Sequence, residues 1–510
     1  MHKRAKITTT AILGALIAGG ASGCGSNADI TLWTGFGSAY TQAVNSLITR
    51  YQEQTGVIIE NTSAGSYDNL QSKLSNSVST ASYPNFANGY PDHFAGYIAS
   101  SIQLELDPYI EAYNEEHGVD LLADYYDNYM EENKMLKYKA DGTPYVMGLP
   151  FNKSTEVMAY NWYFVEYAQS LNSDIIVPAT WDDWTIMGPK YLEVMDTLYE
   201  KYLYAKVDPT DADKHTDFEV SSSEEKPAGK ELLLDCSKVT KDKFRLLTWD
   251  SSDNMFITIV RQWGATYTSY TSTDAQKYQH GWAEYARGEN REKTVAAIDY
   301  FRNAYNTGIF GLPKNISDSS YSSDAFKGNK CMFTICSSGG LSYNIQTGSR
   351  LKLAPIPYKD EDHKLVISQG TNLCLFDQGT DEEKQKAFDA IVAFTTGDLQ
   401  GAWATETGYY PASKSATNSQ AYQELINNPQ DNQIKVAYQE SAKLNEEVYM
   451  STTIDKKWTK FVDPGFVGSS AIRQEVATVM SIALGGEKTT EQILDETMTR
   501  LSTYDPNNKK

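Results

Sequence analysis

Residues 30–59 read ITLWTGFGSAYTQAVNSLITRYQEQTGVII, and this pattern predicts a strand, a helix and a second strand. The apolar runs 30–33 and 57–59 predict the two strands. Between them, a helical face that ends at Gly56 is formed by Ala43, Val44, Leu47, Ile48 and Tyr51. A second helical stripe follows at Leu70, Leu74 and Val78. This alternation is typical of a parallel or mixed sheet covered by helices, so the predicted fold class is α/β.

The same alternation returns in the C-terminal half of the chain. Helical stripes cover 295–305, 387–394 and 476–484, and residues 330–336 form an apolar run typical of a buried strand. A chain of 510 residues is longer than one hydrophobic core usually supports. The sequence therefore predicts two α/β lobes.

The N-terminus has the features of an export signal. Lys3, Arg4 and Lys6 precede an uncharged run that is too short and too rich in glycine to be a good membrane span. ASGC at 21–24 resembles a bacterial lipobox, in which Cys24 is lipidated; the alternative is an ordinary signal peptide that ends near a cysteine. We predict a lipoprotein signal peptide over 1–23 and a lipidated tether over 24–29. The protein would then be held by lipid on the extracytoplasmic face of the bacterial cell membrane.

Charge and motifs exclude several function classes. The chain has 45 Lys+Arg against 66 Asp+Glu and a net charge of −21, which argues against a nucleic-acid partner because phosphate binding needs a basic surplus. The sequence contains no metal-binding His or Cys spacing, no nucleophile elbow and no phosphate-binding loop. We therefore predict no metal, no cofactor and no catalytic residue. A glycosidase carboxylate pair stays an alternative, because acids are abundant.

Four cysteines remain after Cys24. Cys331 and Cys336 are five residues apart and would point to opposite faces of a strand, so buried free thiols are predicted for them and for Cys236 and Cys374. A disulfide between other pairs stays open.

Residues 208–230 are rich in Asp, Glu, Ser and Lys and predict a mobile acidic surface loop. A calcium loop is the alternative, but its acids are irregularly spaced.

Short motifs follow one another in a fixed order along the chain: ITLW (30–33), YDNL (67–70), GYPD (89–92), LPFNKST (149–155), YN (160–161), PATWDD (178–183), FKGNK (326–330), TICSSGGL (334–341) and TGYYP (407–411). In this order, behind a lipobox, they resemble the family 1 extracellular solute-binding proteins of ABC importers. The resemblance implies a two-lobe periplasmic-binding-protein-like fold of type II, with hinge strands and a ligand cleft between the lobes. Lobe one would comprise 29–152 plus 371–408, and lobe two 157–367 plus 411–505.

The resemblance also implies which residues face the cleft, on loops at the carboxyl ends of strands. Aromatic rings cover the C–H faces of a sugar, while amides, carboxylates and hydroxyls bind its polar edges. Candidate ligand-binding residues are Trp33, Tyr67, Tyr90, Asp92, Asn152, Ser154, Trp249, Asp250, Ser338, Gly339, Gln369, Asn372 and Tyr409. Core packing is the alternative for each aromatic residue, helix capping for the two aspartates, and a hinge role for Asn152 and Ser154.

The implied cargo is a neutral mono- or oligosaccharide, which a monomer would deliver to ABC permease subunits. Within the family, the chain is most similar to the glycerol-3-phosphate-binding branch, so glycerol-3-phosphate or a glycerophosphodiester is the alternative. That branch carries a phosphate-binding arginine at the position of Gly465, and the cleft candidates include no basic cluster. Arg473 has two interpretations: contact with the ligand, or pairing with an acid on its own helix.

Overall fold

The computed structural model describes residues 28–271, 280–317, 319–345, 350–451 and 457–504. The predicted signal peptide, Cys24 and most of the tether lie outside these residues. Within them the chain forms two α/β lobes, each with its own sheet and hydrophobic core, which confirms the predicted fold class. No helix in the described part of the chain is both long and apolar enough to cross a membrane.

The strands, in chain order, are β1 (Ile30–Thr34), β2 (Ile59–Ser63), β3 (Phe86–Gly89), β4 (Leu149–Pro150), β5 (Ser154–Asn161), β6 (Tyr202–Asp208), β7 (Asp211–Ser221), β8 (Glu231–Asp235), β9 (Leu247–Trp249), β10 (Thr268–Thr271), β11 (His280–Ala283), β12 (Phe333–Ser337), β13 (Leu351–Ala354), β14 (Leu365–Gln369), β15 (Asn372–Leu375) and β16 (Thr459–Phe461).

The α-helices are α1 (Thr41–Thr55), α2 (Tyr67–Ser77), α3 (Pro91–Ala99), α4 (Asp107–His117), α5 (Leu121–Asp124), α6 (Asp127–Lys134), α7 (Trp162–Leu171), α8 (Trp181–Asp196), α9 (Ser252–Gln262), α10 (Gly288–Asn306), α11 (Pro313–Ile316), α12 (Ser322–Lys327), α13 (Asp381–Thr395), α14 (Gly397–Thr407), α15 (Lys414–Thr417), α16 (Gln420–Asn427), α17 (Gln433–Leu444), α18 (Ser469–Gly485) and α19 (Thr490–Arg500). A 3-10 helix, Ser338–Asn344, follows β12.

Lobe one is built on a five-stranded sheet in the order β2-β1-β3-β15-β4. β1 pairs in parallel with both neighbours, so that Ile30 lies opposite Ile59 and Leu32 opposite Phe86, and all of these side chains are buried. The predicted strand–helix unit is therefore confirmed. Its second strand begins at Ile59 rather than at residue 57, because pairing with β1 starts there.

Lobe two is built on a six-stranded sheet in the order β16-β14-β5-β12-β9, with β13 also beside β5. Its core is aromatic: the buried rings of Trp181 and Trp184 pack edge-on against Phe310. The strand predicted over 330–336 corresponds to β12, but β12 begins only at Phe333. Residues 328–331 form the turn that follows α12.

Three connections carry the chain between the sheets, the last of them between β15 and β16, and the first two are adjacent. The first runs from β4 to β5 through residues 151–153, and the second runs from β14 to β15 through 370–371. Gly370 has φ +99, and a Cβ there would overlap the carbonyl oxygen of Asn152, so glycine is required where the two connections touch. The lobe boundaries predicted from the sequence stay predictions.

The segment 208–230 differs from its prediction. Residues 211–221 form β7, which pairs antiparallel with β6 in a three-stranded sheet completed by β8, so the predicted loop is wrong. Two features stabilise the strand: Phe218 and Val220 alternate onto the core of lobe two, and Lys230 pairs with Asp217 and Glu219 at 3.2 and 2.9 Å. Composition alone missed this period-two pattern.

The cysteines follow their prediction. Cys236, Cys331, Cys336 and Cys374 are free and buried. Burial raises the pKa of each thiol, for example to about 12 at Cys331, so these side chains act as small apolar core residues.

Candidate functional site

A cavity of about 770 Å³ lies between the two lobes. Its walls come from loops at the ends of β1, β3, β9 and β12, from the hinge connections, and from the N-terminal parts of α2, α3, α9 and α18. The lining side chains used below are Tyr40, Tyr67, Tyr90, Asp92, His93, Ser154, Asp250, Asp253, Tyr267, Thr268, Gly339, Ser368, Gln369, Tyr409, Asp463 and Arg473. The pocket is therefore shared by both lobes, as a ligand cleft requires.

The lobe-one wall is aromatic. Tyr67 and Tyr90 meet edge to face with centroids 5.1 Å apart, and Tyr40 lies 5.6 Å from Tyr409. Behind them, Tyr409 is nearly parallel to Trp403, which stacks on Phe151 in the lobe-one core. This packing holds the tyrosine rings in fixed orientations toward the cavity.

Burial changes the chemistry of these tyrosines. Desolvation raises the pKa of Tyr40, Tyr67, Tyr90 and Tyr409 above the ordinary value for tyrosine, so all four stay neutral and carry hydroxyl hydrogens. The Asn152 amide donates to the Tyr67 hydroxyl at 3.3 Å, which ties one ring to the hinge. The wall offers ring faces and a few fixed hydroxyl groups.

The lobe-two wall is charged. The guanidinium of Arg473 bonds Asp253 at 2.7 Å and Asp463 at 2.9 Å, and it also donates to Asn254. Asp463 receives a second bond from Arg261 at 3.2 Å. Burial alone would lower the pKa of Arg473, but Asp253 and Asp463 outweigh that effect and raise it. Arg473 thus lines the cavity and pairs with acids from other segments, not from its own helix.

The floor of the cavity is the hinge. Ser154 opens β5 and Gln369 ends β14, and their side chains lie within 3.5 Å of each other. Asp250 follows β9 and accepts a hydrogen bond from the Ser337 amide at 2.9 Å. Its side chain is exposed in the cleft, and desolvation by the surrounding walls raises its pKa to about 6. The predicted capping role belongs instead to Ser251, the N-cap of α9.

The structure brings together most of the predicted site residues. Those that line the cavity are Tyr67, Tyr90, Asp92, Ser154, Asp250, Gly339, Gln369 and Tyr409. Asp92 lies in the first turn of α3, where its carboxylate also accepts from the His93 amide at 3.0 Å. Whether these residues contact a ligand stays a prediction.

Two predicted tryptophans lie away from the cavity. Trp249 is buried in the lobe-two core, 5.8 Å from Phe301, because its ring points to the helix side of β9. Trp33 lies beside α2, and the ammonium of Lys73 stands over its ring at 3.9 Å. For both tryptophans the structure shows packing, which was the alternative to ligand contact.

Three predicted polar residues support the site from behind. Asn152 accepts from the Thr371 amide at 3.2 Å, so it joins the two hinge connections. Asn372 receives a bond from Asn133 at 2.8 Å, and Ser338 accepts from the Thr155 amide at 3.2 Å. All three are buried and do not line the cavity.

Sequence reasoning missed several lining residues. Tyr40 stands just after β1, so the rule that cleft residues follow strands could have found it. Tyr267 and Asp463 lie far apart in sequence and carry no local motif, and only the packing of β10 and α18 brings them together. Across the described residues, no group of His, Cys, Asp or Glu is arranged to hold a metal ion.

Residues 46–430 match the sequence model of a family described as bacterial extracellular solute-binding protein. The chain belongs to this family. The resemblance to solute-binding proteins is thereby confirmed, and the family is one of binding proteins. No protein with a curated description matches the chain significantly.

Solved structures of solute-binding proteins share the fold. UgpB from Mycobacterium tuberculosis, in complex with glycerophosphocholine, is 17% identical and gives a TM-score of 0.64 over 94% of this chain and 98% of its own. The GacH receptor of Streptomyces glaucescens, studied with acarbose, is 12% identical, with a TM-score of 0.63 over 93% and 97%. A Listeria monocytogenes protein in complex with cycloalternan is 13% identical, with a TM-score of 0.63 over 93% and 98%. This solute-binding protein therefore has the two-lobe fold of these proteins.

Proposed function

We propose that this solute-binding protein captures a carbohydrate in its interlobe cavity and delivers it to the permease of an ABC importer. The observation that carries the proposal is the contrast between the cavity walls. Tyrosine rings predominate on the lobe-one side, where Asp92 stands beside them, and carboxylates, amides and hydroxyls predominate on the lobe-two side, which also has the ring of Tyr267. A saccharide has both kinds of surface, because its C–H faces suit rings and its hydroxyl edges suit polar groups. Acarbose and cycloalternan, named for two structural neighbours, are carbohydrates.

The lobes meet around the cavity, which supports capture by closure. The Tyr40 hydroxyl of lobe one donates to the carbonyl of Gly339 in lobe two. A Cβ on Gly465 would overlap the carbonyl of Pro91 on the opposite lobe, so glycine allows the close approach there. A ligand that touches both walls binds the closed arrangement more tightly than the open one and shifts the population toward it.

The anchor and the partners complete the proposal. Lipid attached to Cys24 would hold the protein at the extracytoplasmic face of the bacterial membrane, where a monomer meets the permease subunits. Cys24→Ser tests this step. Fractionation should move the protein from the membrane to the soluble fraction, and unchanged membrane association would contradict lipidation at Cys24.

A glycerophosphodiester is the second candidate. Arg473 lines the cavity, and its guanidinium is a group that binds phosphate well. Glycerophosphocholine is the ligand named for UgpB. In this chain, however, Asp253 and Asp463 already pair with Arg473. A phosphate would have to displace those carboxylates, so the carbohydrate is favoured.

Isothermal titration against mono- and oligosaccharides, glycerol-3-phosphate and glycerophosphocholine tests the proposal. We expect saturable heat with a saccharide at a micromolar Kd, which corresponds to about 8 kcal/mol. Binding of a phosphate ester alone would replace the carbohydrate by the second candidate. Absence of heat with every compound would contradict both, and turnover of a bound saccharide would instead indicate a glycosidase.

A further inference from the structure

Two carboxyl groups that line the cavity form no ion pair with a Lys or Arg of the described residues. Among the described residues, Asp253 and Asp463 pair with arginines and Glu132 pairs with Lys153. Asp92 and Asp250 have no Lys or Arg partner in that part of the chain; the neighbour of Asp92 is His93, whose Nε2 lies 3.9 Å away. Asp250 is exposed and Asp92 is half-buried, so both carboxylates are open to a ligand in the cavity and to a cationic group that it carries.

Glu156 adds a third such group below the floor. It lies two residues after Ser154 in β5, so both side chains project from the same face of the strand, and Ser154 lines the cavity. Its side chain is fully buried, and neither Oε1 nor Oε2 has a hydrogen-bond partner among the described residues. Burial, with Asp250 and Asp253 nearby, raises the pKa of Glu156. A raised pKa favours the neutral acid, so Glu156 is a buried carboxyl group that needs no cation, and Arg473 and Asn254 partly oppose the shift.

Polar atoms of residues beside the cavity also lack hydrogen-bond partners. Side chains that line the cavity and are at least nine-tenths buried leave polar atoms without a partner in the described structure: His93 Nδ1, Tyr267 OH, Thr268 Oγ1 and Ser368 Oγ. Native proteins rarely leave buried polar atoms unsatisfied. These atoms can accept hydrogen bonds, and an ammonium or hydroxyl group donates them.

The cations close to the cavity are already engaged. Arg473 and Arg261 bond Asp253 and Asp463, and the ammonium of Lys153 bonds Glu132 and the carbonyl of Gly370. None of them forms an ion pair with Asp92 or Asp250 in the described part of the chain, although Asp92 is close enough to Arg473 to raise the pKa of the guanidinium. A cationic group on a ligand would therefore meet two carboxylates that are not bonded to a Lys or Arg.

We propose that the bound saccharide carries a basic amino group, which lies as an ammonium between Asp92 of lobe one and Asp250 of lobe two. This inference rests on the proposed function and specifies its ligand. The ammonium donates to the two carboxylates, and the tyrosine wall favours it further, since Tyr67 and Tyr90 present ring surfaces beside Asp92. Contact with one acid from each lobe also couples the charge to closure.

Matched sugars that differ only at carbon 2 test the proposal by isothermal titration. Glucose, galactose and mannose are compared with their 2-amino and 2-acetamido forms, and cellotriose with the glucosamine and N-acetylglucosamine trimers. We expect the amino member to bind tighter than both neutral members in at least one series, by about tenfold or more. The advantage should disappear at a pH where the amine has lost its proton.

Single substitutions connect the preference to the acids. Asp92→Asn and Asp250→Asn should each reduce the ratio of amino to acetamido affinity, and the exposed Asp431→Asn, outside the cavity, should leave that ratio unchanged. Thermal unfolding of each variant checks that it is folded.

Several outcomes would overturn the inference. Neutral members that bind as tightly as the amino member in every series would do so, as would an amino preference that neither aspartate variant reduces. Absence of binding by all matched sugars, while other neutral saccharides bind, would overturn it and leave the carbohydrate function standing. Failure of every saccharide would remove the proposed function itself.

Discussion

The two walls of the cavity are built on different principles. The lobe-one wall is a layer of rings held by other rings, from Tyr40 and Tyr67 back to Trp403. The lobe-two wall is a network of charges in which Arg473 is held by acids from α9 and the segment before α18. The lobe-one wall binds a sugar by shape and apolar contact, so it tolerates different sugars. The lobe-two wall selects among sugars by the positions of their hydrogen-bonding and charged groups.

The difference teaches where affinity and selectivity arise. Rings gain free energy from apolar contact with little change in charge, so we expect the tyrosines to set how tightly a sugar binds. The acids cost desolvation unless the ligand satisfies them, so we expect them to set which sugar binds. The predictions below separate these two contributions.

Removing a ring from lobe one should have the largest effect. Tyr67→Ala deletes a ring that meets Tyr90 at the cavity wall, and we expect a loss of about 2–3 kcal/mol of binding free energy, or 30- to 150-fold in Kd. Isothermal titration measures it. Tyr67→Phe keeps the ring and should lose far less; equal losses in the two variants would show that the hydroxyl, not the ring, matters.

Removing the central cation of lobe two should act mainly on stability. Arg473→Met leaves Asp253 without its arginine and weakens the hold on Asp463, and we expect the free energy of unfolding to fall by about 2 kcal/mol. Urea unfolding gives this value, with Arg500→Met, a partly exposed surface pair with Glu475, as the control. Equal stability of the two variants would contradict the structural role of Arg473.

Loosening the contact between the walls should have a smaller effect. Tyr40→Phe keeps the ring but loses the bond from its hydroxyl to Gly339 across the lobes, so we expect about 1 kcal/mol weaker ligand binding, roughly fivefold in Kd. Titration with the identified ligand measures it. Tyr51→Phe, in the lobe-one core away from the cavity, serves as the control. A Tyr40→Phe variant with unchanged Kd would show that this bond does not favour the closed state.

The pH dependence of Asp250 should be the smallest effect. Its folded pKa is about 6, above the usual 3.8, so the folded state holds this proton more tightly than the unfolded state. The protonated Asp250 carboxyl therefore contributes to the free energy of unfolding at low pH, and this contribution is lost as pH rises from about 4 through 6. The ligand-free protein should become less stable over that range. Asp250→Asn should flatten that slope in thermal unfolding scans, and an unchanged slope would assign it to another group.

Local patterns along the chain predicted much of the fold. The sequence predicts the apolar face of the helix that ends at Gly56, and it predicts the positive φ of that glycine. Both features depend on neighbouring residues only. The acidic segment 208–230 shows the limit. Its composition suggested a solvated loop, but the alternation of Phe218 and Val220 onto lobe two gave it a strand.

The candidate site was predictable to the extent that cleft residues follow strands. Tyr67, Tyr90, Asp250 and Tyr409 were placed correctly at the cavity, while Trp249 was not, because a residue at the end of β9 can face either side of the sheet. No local pattern indicates the side for Trp249, since that choice depends on the packing of Phe301 and Phe310.

Periodicity and glycine positions are properties of neighbouring residues, and they were enough to predict the α/β class and the two lobes. Which acids lack a cation was settled only by the folded chain. Asp92, Asp250 and Glu156 are separated by long stretches of sequence, and whether each carboxyl is exposed, buried or paired depends on the segments that the fold brings beside it. Desolvation and pairing are properties of that enclosed volume, and no local stretch of sequence contains it.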